Sequence, residues 1–220
     1  SSAASDVYKR QGLHMIISVI FVLLFLAFLM GIILVPKIDG KINMIKVAVM
    51  GIMAIFCYQS FWAFMFQLVG IPVNLKSTCI SMAAAVLLLW GMIIKKKKMQ
   101  RIFVRITDIA VLAVLAGIVI AVSLHMFTPY LRLSYINSDP ANHFNDAMVI
   151  VKQGVLGKHI YFSAFVNAMF IEIFSPILIV SKYYKAFIFA DIFMHVLEVW
   201  MCYVLMLTVS EKTVSYTHLR

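Results

Sequence analysis

Acidic residues are scarce in this chain, and so is charge of any kind. Nine Asp and Glu stand against nineteen Lys and Arg, and only 13% of the 220 residues are charged. That scarcity excludes an ordinary soluble surface, which is about a quarter charged. Cysteine is scarce too. Cys57, Cys79 and Cys202 lie inside apolar segments without metal-ligand spacing, so they read as small buried hydrophobes and imply no disulfide framework. No internal repeat, phosphate-binding loop, glycine-rich dinucleotide turn or low-complexity linker interrupts the chain. The formal charge of +10 and pI near 9.6 do not point to nucleic acid, because the basic residues sit in short gaps between apolar runs and form no face with interleaved aromatics.

What the chain has in abundance is apolar length. Of its residues 64% are apolar and the mean hydropathy is +1.00, the composition of a polytopic membrane protein. Crossing the hydrocarbon takes about 20 apolar residues in a helix. Six runs qualify, at 14–35, 44–69, 78–94, 106–128, 159–180 and 184–209, the third short enough to recruit part of "GIPVNL" at 70–75. They are continuous rather than alternating. Because lipid leaves backbone groups no outside partner, the expected fold is all-α, a transmembrane helix bundle of about six spans.

Both ends differ in composition from what they flank. "SSAASDVYKRQ" (1–11) and "VSYTHLR" (214–220) resemble translated sequencing-adapter tails, and the sequence does not begin with Met. They are set aside here as one would a tag. The expected organisation is then four spanning helices in 12–128, a loop with a juxtamembrane helix in 129–158, and two spanning helices in 159–213, with the intact protein extending beyond both ends.

Lys and Arg in short loops set orientation. Loops 36–46, 95–105 and 181–185 would share one side under a six-span count, and together hold eleven basic residues. The other side has four: Lys76, Arg132, Lys152 and Lys158. The expectation is a multi-pass protein of a bacterial cytoplasmic membrane with those three loops cytoplasmic and loop 129–158 outside. The run Lys95 to Lys98 reads first as a topology determinant, and secondarily as a contact for anionic lipid.

The outward loop carries the most polar stretch of the chain, "YINSDPANHFNDAMVIVKQG" (135–154). Asp139 before Pro140 is a helix start, an N-cap acceptor followed by a residue whose missing N–H costs nothing at the first position. A helix over 140–153, ended by Gly154 or Gly157, puts Ala141, Phe144, Met148 and Val151 on one stripe, fit for the membrane surface or the bundle. Asp139 and His143, four apart, share a face, as do His143 and Asp146, three apart. Asp139 alone reads equally well as a plain cap.

An acidic residue opening an amphipathic helix in an outward loop resembles the first external loop of GT-C class membrane glycosyltransferases, in particular the bacterial mannosyltransferase and aminoarabinose-transferase group, here in a "SDPAxHF" form. The likeness spans about seventy residues, Met126 to Glu198. It implies a polyprenyl-phosphate sugar as donor, membrane lipid as partner, and transfer with inversion to an acceptor hydroxyl. By position Asp139 would be the general base. His143, Asp146 or Asn142 would bind acceptor or donor, and Arg132 or Lys152 would meet the donor phosphate. In the simplest members this loop follows the first helix, whereas here four helices precede it.

Charges inside the apolar runs are a second lead. Glu172 lies midway along the fifth run, and Asp191, His195 and Glu198 follow i, i+4, i+7 spacing on the sixth. Such residues are expensive in lipid and face partners or water-filled cavities. They read as the wall of a substrate cavity, a metal or proton relay, or plain interhelical pairing. No cofactor is established; a single helix offers too few convergent ligands for zinc or magnesium, so a divalent metal stays an open alternative. Asp108 and His125, near the ends of the fourth run, are assigned nothing. The competing functions are a transporter or flippase using the intramembrane acids, and a polysaccharide polymerase.

Overall fold

In a computed structural model, residues 2–35, 41–95, 101–127, 139–157, 162–177 and 183–217 are described. The chain is an all-α bundle of α1 (Ser2–Leu34), α2 (Met44–Leu68), α3 (Leu75–Ile94), α4 (Ile106–Phe127), α5 (Asp139–Gln153), α6 (Phe162–Ile177) and α7 (Tyr183–Thr217), with two short strands, β1 (Lys41–Asn43) and β2 (Arg101–Phe103). α1 and α7 include residues set aside above as adapter-like.

Five helices are long and apolar enough to span: Gly12–Leu34, Met44–Leu68, Leu75–Ile94, Ile106–Met126 and Lys185–Ser210. The fifth predicted run differs. Its helix, α6, has 16 residues, about 24 Å of rise against a hydrocarbon thickness of about 30 Å. It is also enclosed. Ala164–Met169 and Ile171–Ile173 are buried, and Phe170 and Phe174 are half-buried, so none of these side chains is exposed. One tether ahead of α6 and one in its second half lie at the same end of the bundle. The Leu156 N–H donates to Gln67 Oε1 near the C-terminus of α2 (3.1 Å), and the Leu75 N–H, at the start of α3, donates to Glu172 Oε2 (2.9 Å). Between them Phe165 shares a small cavity with Ile55 and Phe56, halfway along α2. The chain therefore dips into the bundle here and returns, where hydropathy alone predicts a crossing.

The direction of α7 confirms this. Its Tyr203 hydroxyl donates to Asp108 Oδ1 (3.1 Å) and its Trp200 indole N–H to the Leu112 carbonyl (2.9 Å), both near the start of α4. Phe187, about 24 Å back along the helix at about 1.5 Å per residue, packs edge-on against Phe144 of α5 (5.4 Å). Lys185 thus lies at the α5 end, opposite loops 36–46 and 95–105. The six-span count had put loop 181–185 with those two; its described residues, 183–185, lie at the opposite end, and 181–182 lie outside the described residues.

The described parts of the other two loops, 41–46 and 101–105, do share an end, joined by a parallel β1–β2 pair with Lys41 opposite Arg101, Ile42 opposite Ile102 and Asn43 opposite Phe103. Helix starts are set by local polar groups. Asn43 Oδ1 accepts from Ile45 N–H to cap α2, and Asn74 with Ser77 forms a reciprocal capping box on α3. α1 is central on the other flank, and small residues let it approach its neighbours: a Cβ on Gly51 would stand 2.9 Å from Leu29, one on Gly31 3.1 Å from Leu89. Rings Phe25–Phe56–Phe193 and Phe28–Tyr58 fill the centre.

Candidate functional site at the α5 end of the bundle

α5 begins at Asp139 and ends at Gln153, within a residue of expectation. Gly154 closes it with φ +68 and an N–H to the Ile150 carbonyl (2.8 Å). The same glycine receives the Val73 N–H on its carbonyl (2.7 Å), which pins the end of α5 to the α2–α3 turn.

The helix lies against the bundle, but not on the predicted stripe alone. Its deepest positions are Asp146, Ala147 and Ile150, while Phe144, Met148 and Val151 form a half-buried flank. The side chain of Ala141 lies outside the described residues. The predicted stripe was displaced by a buried carboxylate: Asp146 is 7% exposed and closely packed against Gly157, where an added Cβ would fall 2.6 Å from Oδ1. Glycine at 157 is what admits that carboxylate.

His143 is half-buried beside Phe144, whose ring packs on Phe187 of α7, one turn before Asp191. The two leads of the sequence, the loop cluster and the intramembrane acids, therefore meet at one seam between α5 and α7. Asp191 is half-buried there; the His195 ring Nδ1 is 2.8 Å from its backbone carbonyl one turn back. The rest of the predicted α7 face points elsewhere: His195 and Glu198 are exposed. Among loop candidates Asn142 and Lys152 are exposed. The side chain of Asp139 and all of Arg132 lie outside the described residues. Glu172 belongs to neither seam and sits under α3's first turn.

Among the described residues no three His, Cys, Asp or Glu side chains converge to hold a metal. Three polar groups were missed by sequence reasoning. Asp108 is 3% exposed and accepts from Asn43 Nδ2 (2.7 Å) as well as from Tyr203. Gln59 and Asn167 are 3% and 1% exposed within apolar helices. The rule that drew attention to Glu172, a polar group inside a lipid-length run, applies to both amides and would have found them.

Fold and site together define a polytopic helical membrane protein with an amphipathic helix seated at one end of its bundle. No family model matches the chain, and neither curated proteins nor solved structures give a match.

Proposed function

We propose that this protein is a GT-C type glycosyltransferase of a bacterial cytoplasmic membrane, moving a sugar from a polyprenyl-phosphate donor to an acceptor hydroxyl at the α5 end of the bundle, outside the cell. The observation that supports it most is the seating of α5. A helix opened by Asp139 is held on the bundle by Phe144 and Gly154, with His143 half-buried on it and Asp191 one turn after Phe187 on α7. That seating would bring the Asp139 carboxylate and the His143 imidazole to the mouth of a membrane bundle, where a lipid-linked substrate and a polar acceptor would meet.

In this reading Asp139 takes the acceptor hydroxyl's proton as its oxygen attacks the anomeric carbon. The bond from that carbon to the donor phosphate breaks with inversion, and the phosphate leaves with the electron pair. Arg132 and Lys152 offset the leaving charge, since charge-assisted bonds to phosphate are the strong ones. His143, Asp146 and Asn142 orient the sugars. The outward assignment of this end rests on charge: loops 36–46 and 95–105 hold nine basic residues in the sequence, against Lys76 and Lys185 at the described helix starts opposite.

The test is transfer by the full chain in lipid nanodiscs with radiolabelled polyprenyl-phosphate sugars. A positioned base contributes about 10²–10⁴-fold, so Asp139→Asn is expected to lose transfer on that scale while keeping wild-type helix content by circular dichroism. Full transfer by that variant overturns the assignment.

A further inference from the structure

A polar track inside the bundle plays no part in the α5 site. It starts at Glu172, 6% exposed, whose Oε2 accepts from the Leu75 N–H (2.9 Å) and whose Oε1 has no hydrogen-bond partner among the described residues. One turn deeper the Thr78 hydroxyl donates to the Asn74 carbonyl (2.8 Å) and lies 3.4 Å from Met169 Sδ. Next comes Ser81, whose Oγ stands 2.8 Å from Gln59 Oε1. Gln59 ends the track, 3% exposed, with Nε2 unpartnered. Thr78 and Gln59 border a small cavity walled by Phe21, Phe25, Phe56 and Phe165.

The two ends are complementary, an open acceptor at Glu172 and an open donor at Gln59, with the Thr78 and Ser81 hydroxyls, each a possible acceptor, at successive turns of α3 between them. Unpaired polar atoms in an apolar interior are costly, and a carboxylate without a counter-charge is the most costly of them. No Lys or Arg pairs with Glu172 among the described residues. Its titratable neighbours are His14 of α1, with ring Nε2 3.1 Å from the Glu172 carbonyl, and Cys79 of α3, which feels the Glu172 charge. From α2 the nearest along the track is Tyr58, whose hydroxyl donates to the Ser81 carbonyl (3.0 Å). The α5 and α7 groups His143, Asp146 and Asp191 belong to the other seam.

We propose that Glu172 is a proton-binding site of the bundle interior, and that water along Thr78, Ser81 and Gln59 connects it to the centre of the bundle. A hydrated proton arriving at Oε1 becomes the carboxyl hydrogen and leaves water behind; release is the reverse. The ligand class is thus the proton, carried by water, and the site is independent of any sugar transfer at α5.

Dicyclohexylcarbodiimide tests the first part, because it adds to protonated carboxyls in apolar surroundings to give a stable N-acylurea. With the full chain in nanodiscs, mass spectrometry is expected to find the adduct on Glu172, falling about tenfold per pH unit above the titration midpoint and absent in Glu172→Gln. Should that variant fail to insert, the pH dependence of the wild-type adduct decides alone. Infrared spectra in heavy water test the track: the Glu172 carboxyl band is expected to shift promptly, and more slowly in Gln59→Leu. An absent or pH-independent adduct on folded protein overturns the proton site. Unchanged deuteration in Gln59→Leu overturns the track. Neither readout depends on a glycosyl donor, so failure of the transfer assay leaves both intact.

Discussion

The two ends of the bundle handle their polar groups in opposite ways. At the β1–β2 end Asp108 is buried, yet both its carboxylate oxygens are engaged, one by Asn43 and one by Tyr203, and Trp200 closes the next turn on the Leu112 carbonyl. From the middle of the bundle toward the α5 end, buried polar atoms are without a hydrogen-bond partner among the described residues: Gln59 Nε2, Ser60 Oγ, both amide atoms of Asn167 and Glu172 Oε1. A satisfied network stiffens and specifies a structure, whereas unpaired groups weaken one and persist where a ligand or proton uses them. The contrast sets a scaffolding end, with its buried groups paired, against the end that carries both proposed sites, the working end.

Substitutions can break or sharpen that division. The largest effect is expected at the scaffolding end. Asp108→Ala strands the Asn43 amide and the Tyr203 hydroxyl, and removing a buried charged acceptor should cost about 3 kcal/mol, read as a lower unfolding midpoint in detergent; Asp108→Asn should lose less. A loss below about 1 kcal/mol would mean that the network is not what holds α4 to α7. Next is Gly157→Ala at the working end. Its Cβ would press on Asp146, so α5 must shift, at about 2 kcal/mol of overpacking. Proteolysis between α5 and α6 should accelerate, while the β1–β2 end keeps its protection. The smallest effect has the opposite sign. Asn167→Leu swaps a buried, unpaired amide for an apolar group of similar size, and should stabilise by about 1 kcal/mol. Destabilisation there would show that the amide has a partner in the folded protein, and the division between the ends would blur.

Membrane residence, the helical class and the existence and ends of α5 were legible in the sequence, because each rests on local chemistry: apolar length, the Asp139–Pro140 start and the Gly154 stop. The course of α6 was not. Its residues are as apolar as those of a spanning helix, and hydropathy scores a side chain facing Phe56 the same as one facing lipid. Only its enclosure by neighbours distinguishes it. α4 shows the converse, an equally apolar helix in which Asp108, Leu112 and Ser123 are buried while most of the remaining side chains meet the surroundings. The site was half legible. Spacing put His143 and Asp146 on one face, but the Phe144–Phe187 contact that seats α5 on α7 is tertiary. Asp108 was passed over because its partners, Asn43 and Tyr203, are far away in sequence.

The parallel β1–β2 pair has a bearing on biogenesis. Its two strands stand on either side of a complete helical hairpin, α2 and α3, so β1 reaches the membrane surface long before its partner is translated. Until α3 has been inserted and β2 has emerged, the first hairpin has no latch. The ladder therefore reports on parity of insertion: the complete α2–α3 hairpin brings the two strands to one face of the bilayer, whereas a chain in which just one of the two helices crosses leaves them on opposite faces, unable to pair.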